Sequence, residues 1–325
     1  MESQKPQIKP SRNGVLDGLK TVMAMLVVTL HCNVQDSHSS LASYLLVNGI
    51  CRIAVPIFFI INGYYFAQLD TSRTRRWFWR IIKLHLFLTM VYSYLWFPRK
   101  GDIASTSTAI ARALLEVFYH LWYLPALIVA GLLLLAIRKL PQKSILLTCV
   151  VLYSIGLAIQ YIGNLHLAGN LDSLLNQLSL YRNGLFFGLP FFGFGYLIHF
   201  TKIPSRMTEL KLLAFSALGV STLIVESALN FSRAEPENFD ILASLSFVCV
   251  GIFLLALKCG ERRGNGLTWL GLYASSIYFI HPLVIYFVGK FYMLDGTWKT
   301  VCALAISSAV APLLIIGKRR FSFML

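Results

Sequence analysis

The chain has 325 residues, 57% of them hydrophobic and 13% charged, roughly half the charged content of an average soluble domain. With a mean hydropathy of +0.66, that balance excludes a soluble globular protein and describes a polytopic membrane protein. A formal charge of +15 would suit nucleic acid, but the basic residues fall in short clusters between apolar runs, the pattern of cytoplasmic loops, so no nucleic-acid partner is expected.

Stretches near the ~20 residues needed to cross a bilayer fall at about 15–33, 45–67, 81–97, 119–137, 144–162, 184–200, 210–230, 240–257, 267–288 and 299–317. The expected fold is therefore all-α, with about ten transmembrane helices. An even number puts both termini on one side. Assigning that side to the cytoplasm gathers most of the lysines and arginines inside and leaves most acids, Asp240 among them, towards the outside. The expected organisation is a cytoplasmic tail over 1–14, one transmembrane domain over 15–317 and a short cytoplasmic tail over 318–325. Cys32, Cys51, Cys149, Cys249, Cys259 and Cys302 are scattered, without a C-x-x-C pair, so neither disulfides nor a zinc site is indicated.

The first span carries Asp17, Lys20 and His31. On a helix the eleven steps from Lys20 to His31 turn through about 1100° and rise about 16 Å, so both side chains look out of one face without touching. They are expected to line the two ends of one cavity. Asp17, three residues before Lys20, is placed to pair with it. The second span contains Pro56 and Gly63, read as a kinked helix beside a cavity. Arg52 at its outer end either snorkels to the headgroups or faces the bundle. Asn62, deeper, must pair with another helix or face a wet cavity.

Arg73-Thr-Arg-Arg-Trp-Phe-Trp-Arg80 is the densest basic cluster. It serves topology, or it forms an anion site in which Arg73, Arg76 and Arg80 take phosphates and Trp77 or Trp79 stacks on a base. The segment Gly101 to Glu116 reads as a short amphipathic helix at the outer surface. Trp122 and Tyr123, after His120, fit an interfacial belt. Arg182-Asn-Gly184 opens a stretch rich in glycine, where backbone can come close to a ligand or another helix. In the ninth span Pro282 removes a backbone donor beside His281, which predicts a helix opened towards a cavity. His31, His120 and His281 lack metal-ligand spacing, so no metal is expected.

These residues give the chain its resemblance to the acyltransferase 3 family, integral membrane O-acyltransferases that typically acetylate cell-surface polysaccharides. The matching parts are Leu16-Asp-Gly-Leu-Lys20 with His31, Val55-Pro-Ile-Phe-Phe-Ile-Ile-Asn-Gly-Tyr64, the arginines after the second span, His120-Leu-Trp122 and Ser276-Ile-Tyr-Phe-Ile-His-Pro282. Lys20 stands where the family usually has arginine, and Asn62 where it usually has serine. The resemblance implies acetyl-CoA as acyl donor from the cytoplasm, and a glycan or lipid-linked saccharide hydroxyl as acceptor from the outer face. It also implies a bacterial inner membrane; some relatives carry a C-terminal esterase-like domain, which is not expected here.

On this expectation His31 is catalytic, as base or as acylated intermediate, with Lys20 and Asp17 beside the path. Arg73, Arg76 and Arg80 hold CoA. Arg52, Asn62, His120, Trp122, Arg182, Tyr278 and His281 shape the acceptor or oxyanion side. Membrane lipid is the surrounding partner; the oligomeric state is not legible. Some relatives move small molecules or polymers, and Arg52-Ile-Ala-Val-Pro56 and Arg182-Asn-Gly184 resemble membrane domains associated with serine transport. The alternative expectation is therefore a transporter or exporter using the same cavity without chemistry.

Overall fold

A computed structural model describes residues 13–33, 38–98, 106–108, 110, 122–201, 203–233, 237–263, 269–292 and 296–317. The regular elements among the described residues are all helices, with no strand among them. Among the described residues, six helices are long and apolar enough to cross a membrane: Gly14–Asn33, the interrupted Leu41–Phe66, Gln142–Asn164, Glu209–Phe231, Leu270–Phe291 and Gly296–Gly317. Two shorter apolar helices, Tyr123–Ile137 and Gly184–Phe200, join them. The remaining predicted stretches, 81–97 and 240–257, fall on helices Thr71–Val91 and Leu245–Arg263. The principal helices are α1 (Gly14–Asn33), α2 (Ala54–Phe66), α3 (Thr71–Val91), α4 (Tyr123–Ile137), α5 (Gln142–Asn164), α6 (Leu189–Phe200), α7 (Glu209–Phe231), α8 (Leu245–Arg263), α9 (Leu270–Tyr292) and α10 (Gly296–Gly317).

Local chemistry sets the helix ends. The Asn13 side chain accepts from the Val15 and Leu16 amides and caps α1. Asp70 accepts from the Arg73 amide at 2.8 Å and caps α3, and that amide, with the Ser72 hydroxyl, holds the Asp70 carboxyl below its ordinary range. The arginine cluster read as a loop therefore lies in the first three turns of α3. No Gly or Pro separates it from the apolar run that follows, so one cap starts a single helix.

The second predicted span is interrupted, but not at Gly63. Helix Leu41–Val47 gives way to a 3₁₀ turn, Ile50–Ile53, before α2 starts. Pro56 sits in the first turn of α2, where its missing N–H is tolerated. Gly63 has a different task. A Cβ there would stand 1.9 Å from the Phe192 carbonyl oxygen, and one at Gly195 would stand 2.0 Å from that of Ile60. Helices α2 and α6 thus cross with backbone against backbone, reciprocally, in the manner of small-residue crossings in membranes. Aromatic rings close the sides of the crossing: Phe66 meets Phe192 at 5.1 Å and Trp77 at 4.9 Å.

Around this pair α1 packs on α9 and α10, and α7 on α8. The Thr21 hydroxyl, 3.1 Å from the Leu270 carbonyl, ties the start of α1 to that of α9. The expected opening of the ninth span is absent: α9 runs without a break through Pro282. The predicted surface helix over 101–116 lies largely outside the described residues.

Gly63→Ala is expected to force α2 and α6 apart and to lower the thermal unfolding temperature in detergent by the equivalent of at least ~1–3 kcal/mol, the usual penalty of overpacking. Gly289→Ala, whose added Cβ meets nothing closer than the Lys299 side chain at 3.7 Å, should be neutral or slightly stabilising.

Candidate functional site

Two polar regions lie in the bundle, with a layer of aromatic rings between them. The first is a cavity of about 320 Å³, lined by residues of α1, α2, α3, α4 and α9. Lys20, Trp77 and Arg80 stand at one end, and Phe58, Asn62, Tyr123 and Tyr278 also face it. Lys20 Nζ is 2.9 Å from the Asp17 carboxylate, which is 1% exposed. This is the pairing expected from their spacing. It draws a buried acid and a half-buried cation to the cavity wall, with the Tyr65 ring 5.6 Å from Nζ. Asn62 donates to the Tyr123 hydroxyl at 2.8 Å and to the Phe58 carbonyl at 2.9 Å. It therefore bonds another helix and lines the cavity at once.

The rings of Phe58, Tyr123 and Tyr278 are in mutual contact, with centroids 5.7 to 6.1 Å apart. Beyond them, one turn along α9, His281 is buried against Tyr278, ring centroids 5.7 Å apart. His31 of α1 stacks on His281 at 5.4 Å with the planes 26° apart. His31 is half-buried while His281 is fully enclosed, so His31 is the accessible member. Lys20 and His31 share a helix face as predicted, yet only Lys20 lines the cavity. The aromatic layer separates the two regions that the sequence reading joined.

The second region surrounds His31 with charge. Arg52 Nη1 donates to Asp240 Oδ1 at 2.5 Å, and Arg182 Nη1 to the same oxygen at 3.1 Å. All three act electrostatically on His31. Arg52 is 8% exposed, so it does not snorkel: the break before α2 turns it inward, where Asn48 Oδ1 accepts from Nη2 at 2.9 Å. Its Nε is buried without a hydrogen-bond partner. The Arg182 guanidinium lies 5.2 Å over the Trp122 ring, so Trp122 serves this cluster rather than only a membrane belt.

Asp240 is the central residue that sequence reasoning missed. It sits in an irregular segment, residues 237–244, whose backbone is held by side chains. Gln160 Oε1 accepts from the amides of Asp240 and Ile241 at 2.8 and 3.0 Å, and its Nε2 donates to the Ile241 carbonyl. Glu226 takes the amides of Ala243 and Ser244, and Tyr153 donates to the Leu242 carbonyl at 2.6 Å. A glutamine near the end of a predicted span, Gln160 within 144–162, was the available signal, since an intramembrane amide requires a partner.

The expected CoA ligands are only partly gathered. Arg80 lines the cavity, whereas Arg73 and Arg76 are exposed on the same helix and Arg73 Nε pairs with Asp70 at 3.0 Å. Helical spacing nevertheless places residues 73, 76, 77 and 80 along one stripe. His120 lies outside the described residues.

Replacing Asp240 with asparagine leaves two guanidiniums without their shared counter-charge. Asp240→Asn is expected to lose about 3–5 kcal/mol, as when one partner of a buried ion pair is removed, read as a fall in thermal unfolding temperature in detergent. Arg182→Gln, at a side chain 25% exposed, should lose less.

A profile described as "Acyltransferase domain" matches residues 13–316. Three curated relatives are similar over most of this chain. It is 27% identical over 292 residues to a serine/alanine racemase of Enterococcus gallinarum, covering 84% of this chain and 41% of the relative. Two amino-acid racemases of Enterococcus faecalis are each 25% identical, over 81% and 86% of this chain and 39% and 42% of their own lengths. The chain thus spans about two-fifths of the length of the curated relatives it matches. No solved structure matches it. With nearly its whole length matched, this helical membrane protein belongs to the acyltransferase domain family.

Proposed function

We propose that the protein transfers an acetyl group from acetyl-CoA to a hydroxyl of a cell-surface or lipid-linked glycan, in the inner membrane of a bacterium, through ten transmembrane helices with both termini cytoplasmic. The observation that carries this reading is the alignment along α9: a cation-rimmed cavity ends at Tyr278, and the next turn holds the stacked pair of His281 and His31. The cavity lies at the lower end of the range for small-molecule sites and suits the acetyl-pantetheine arm. The nucleotide end would rest outside it, with Arg80, Arg76 and Arg73 on its phosphates and Trp77 on its base.

In this mechanism the acceptor hydroxyl comes from the His31 side. His31 takes its proton as the oxygen attacks the thioester carbon, the C–S bond breaks, and the proton leaves with the CoA thiolate. Arg52 and Arg182 share one carboxylate, so the cluster retains one formal positive charge. That charge suits the tetrahedral oxyanion. Phe58, Tyr123 and Tyr278 must part for the thioester to reach His31, so loading the cavity and opening the layer are coupled. Lys20 and Asp17 hold the cavity wall, and Asn62 fixes the Tyr123 hydroxyl.

A second reading is favoured by the racemase names of the relatives: a carrier for a small amino acid, with the carboxylate at Arg52 and Arg182 and the ammonium at Asp240. The two readings separate by binding. A purified protein whose unfolding temperature rises with CoA, by the linkage relation for a ligand of the folded state, supports transfer; a rise with serine and none with CoA supports the carrier.

In membranes supplied with acetyl-CoA, His31→Ala is expected to reduce glycan acetylation by about 100-fold or more, the scale of a lost general base. Acetyl incorporation, followed by mass, checks this, and wild-type activity in that variant sinks the mechanism.

A further inference from the structure

Helix α9 passes through Pro282 unbroken, and this leaves a specific vacancy in its hydrogen bonding. In an α-helix the N–H of residue 282 would bond the carbonyl of residue 278. Proline has no N–H, so the Tyr278 carbonyl loses its helical donor. His281 Nδ1 stands 2.7 Å from that oxygen. A carbonyl oxygen only accepts, so Nδ1 carries the proton and the neutral ring keeps its lone pair at Nε2. The neighbouring Phe279 carbonyl accepts from the Tyr92 hydroxyl, which follows the end of α3. Side chains thus hold both carbonyls of the proline turn. The His281 ring is enclosed, with one face against His31 and Tyr278 beside it.

We infer that His281 is a positioning residue for His31, locked as the Nδ1–H tautomer by the carbonyl that Pro282 releases. Its ring is a fixed platform that sets the plane of the His31 imidazole. Its Nδ1 proton is committed to the backbone, so the proton exchanged in the reaction is confined to His31. Proline here is the source of a hydrogen-bond acceptor and not a hinge. The role, though not the tautomer, rests on the transfer reading given above.

Histidine-selective ¹⁵N NMR of the full chain in detergent tests this, with His281 assigned by its loss in His281→Asn. That substitution keeps an N–H able to reach the Tyr278 carbonyl and removes the ring. The wild type should show Nδ1 protonated and Nε2 unprotonated at His281. Pro282→Ala, which returns an N–H to position 282, should give a mixture of tautomers. In His281→Asn the His31 ring resonances should shift, and kcat for acetyl transfer should fall about 10- to 100-fold, the scale of a lost orientation, with KM for acetyl-CoA within about twofold. An Nε2–H tautomer in the wild type, an unchanged tautomer in Pro282→Ala, or unchanged His31 resonances in His281→Asn overturns the inference. Wild-type kcat in His281→Asn beside an inactive His31→Ala overturns the positioning role alone. If the wild type transfers no acetyl group, the transfer reading fails, and the NMR measurements still decide the lock and the platform.

Discussion

The structure depends on the requirement that every backbone polar group at membrane depth find a partner within the protein. Residues 237–244 meet it without helix. Gln160 and Tyr153 of α5 and Glu226 of α7 take up their amides and carbonyls, and Tyr44 donates to the Glu237 carbonyl at 2.6 Å. Because the backbone is pinned this way, Asp240 has one place to be, and that place lies between Arg52 and Arg182. The same rule explains Asn48, which faces three ways: to Arg52, to the Phe239 amide and to Asn238.

The charged cluster and the cavity then divide the labour of the bundle. Near the cavity the polar atoms belong to long side chains on regular helices, Lys20 on α1 and Arg80 on α3. Near His31 they belong to places where the helices are interrupted: the break before α2, the turn at Arg182 and segment 237–244. Interrupted backbone brings charges inward that a continuous helix would have carried to the headgroups. Helix α9 connects the two regions, presenting Tyr278 to one and His281 to the other.

Much of this was legible in the chain. The Lys20 to His31 spacing, the Asp17 pairing and the need for an interhelical partner at Asn62 all follow from helix geometry and the cost of polar groups in lipid, and each is a local matter. Arg52 and Trp122 were ambiguous because their neighbours are distant in sequence: a snorkelling arginine and an ion-paired one look alike until Asp240, 188 residues away, is placed. Pro282 was read as a break because proline removes a donor; the histidine before it supplies one. Tyr278 was read as a site residue and Tyr123 as part of an interfacial belt, but their contact with each other and with Phe58 could not be read, since the three come from three helices.

That layer bears on the membrane itself. Polar chambers approaching each other from opposite ends of a bundle shorten the low-dielectric path to the distance between them, and an ion gradient is lost wherever that path disappears. Here the remaining insulation is the mutual contact of Phe58, Tyr123 and Tyr278, with the Tyr123 hydroxyl occupied by Asn62. In the transfer reading proposed above, keeping the two polar regions apart therefore falls to the contact of three rings rather than to the thickness of the bilayer.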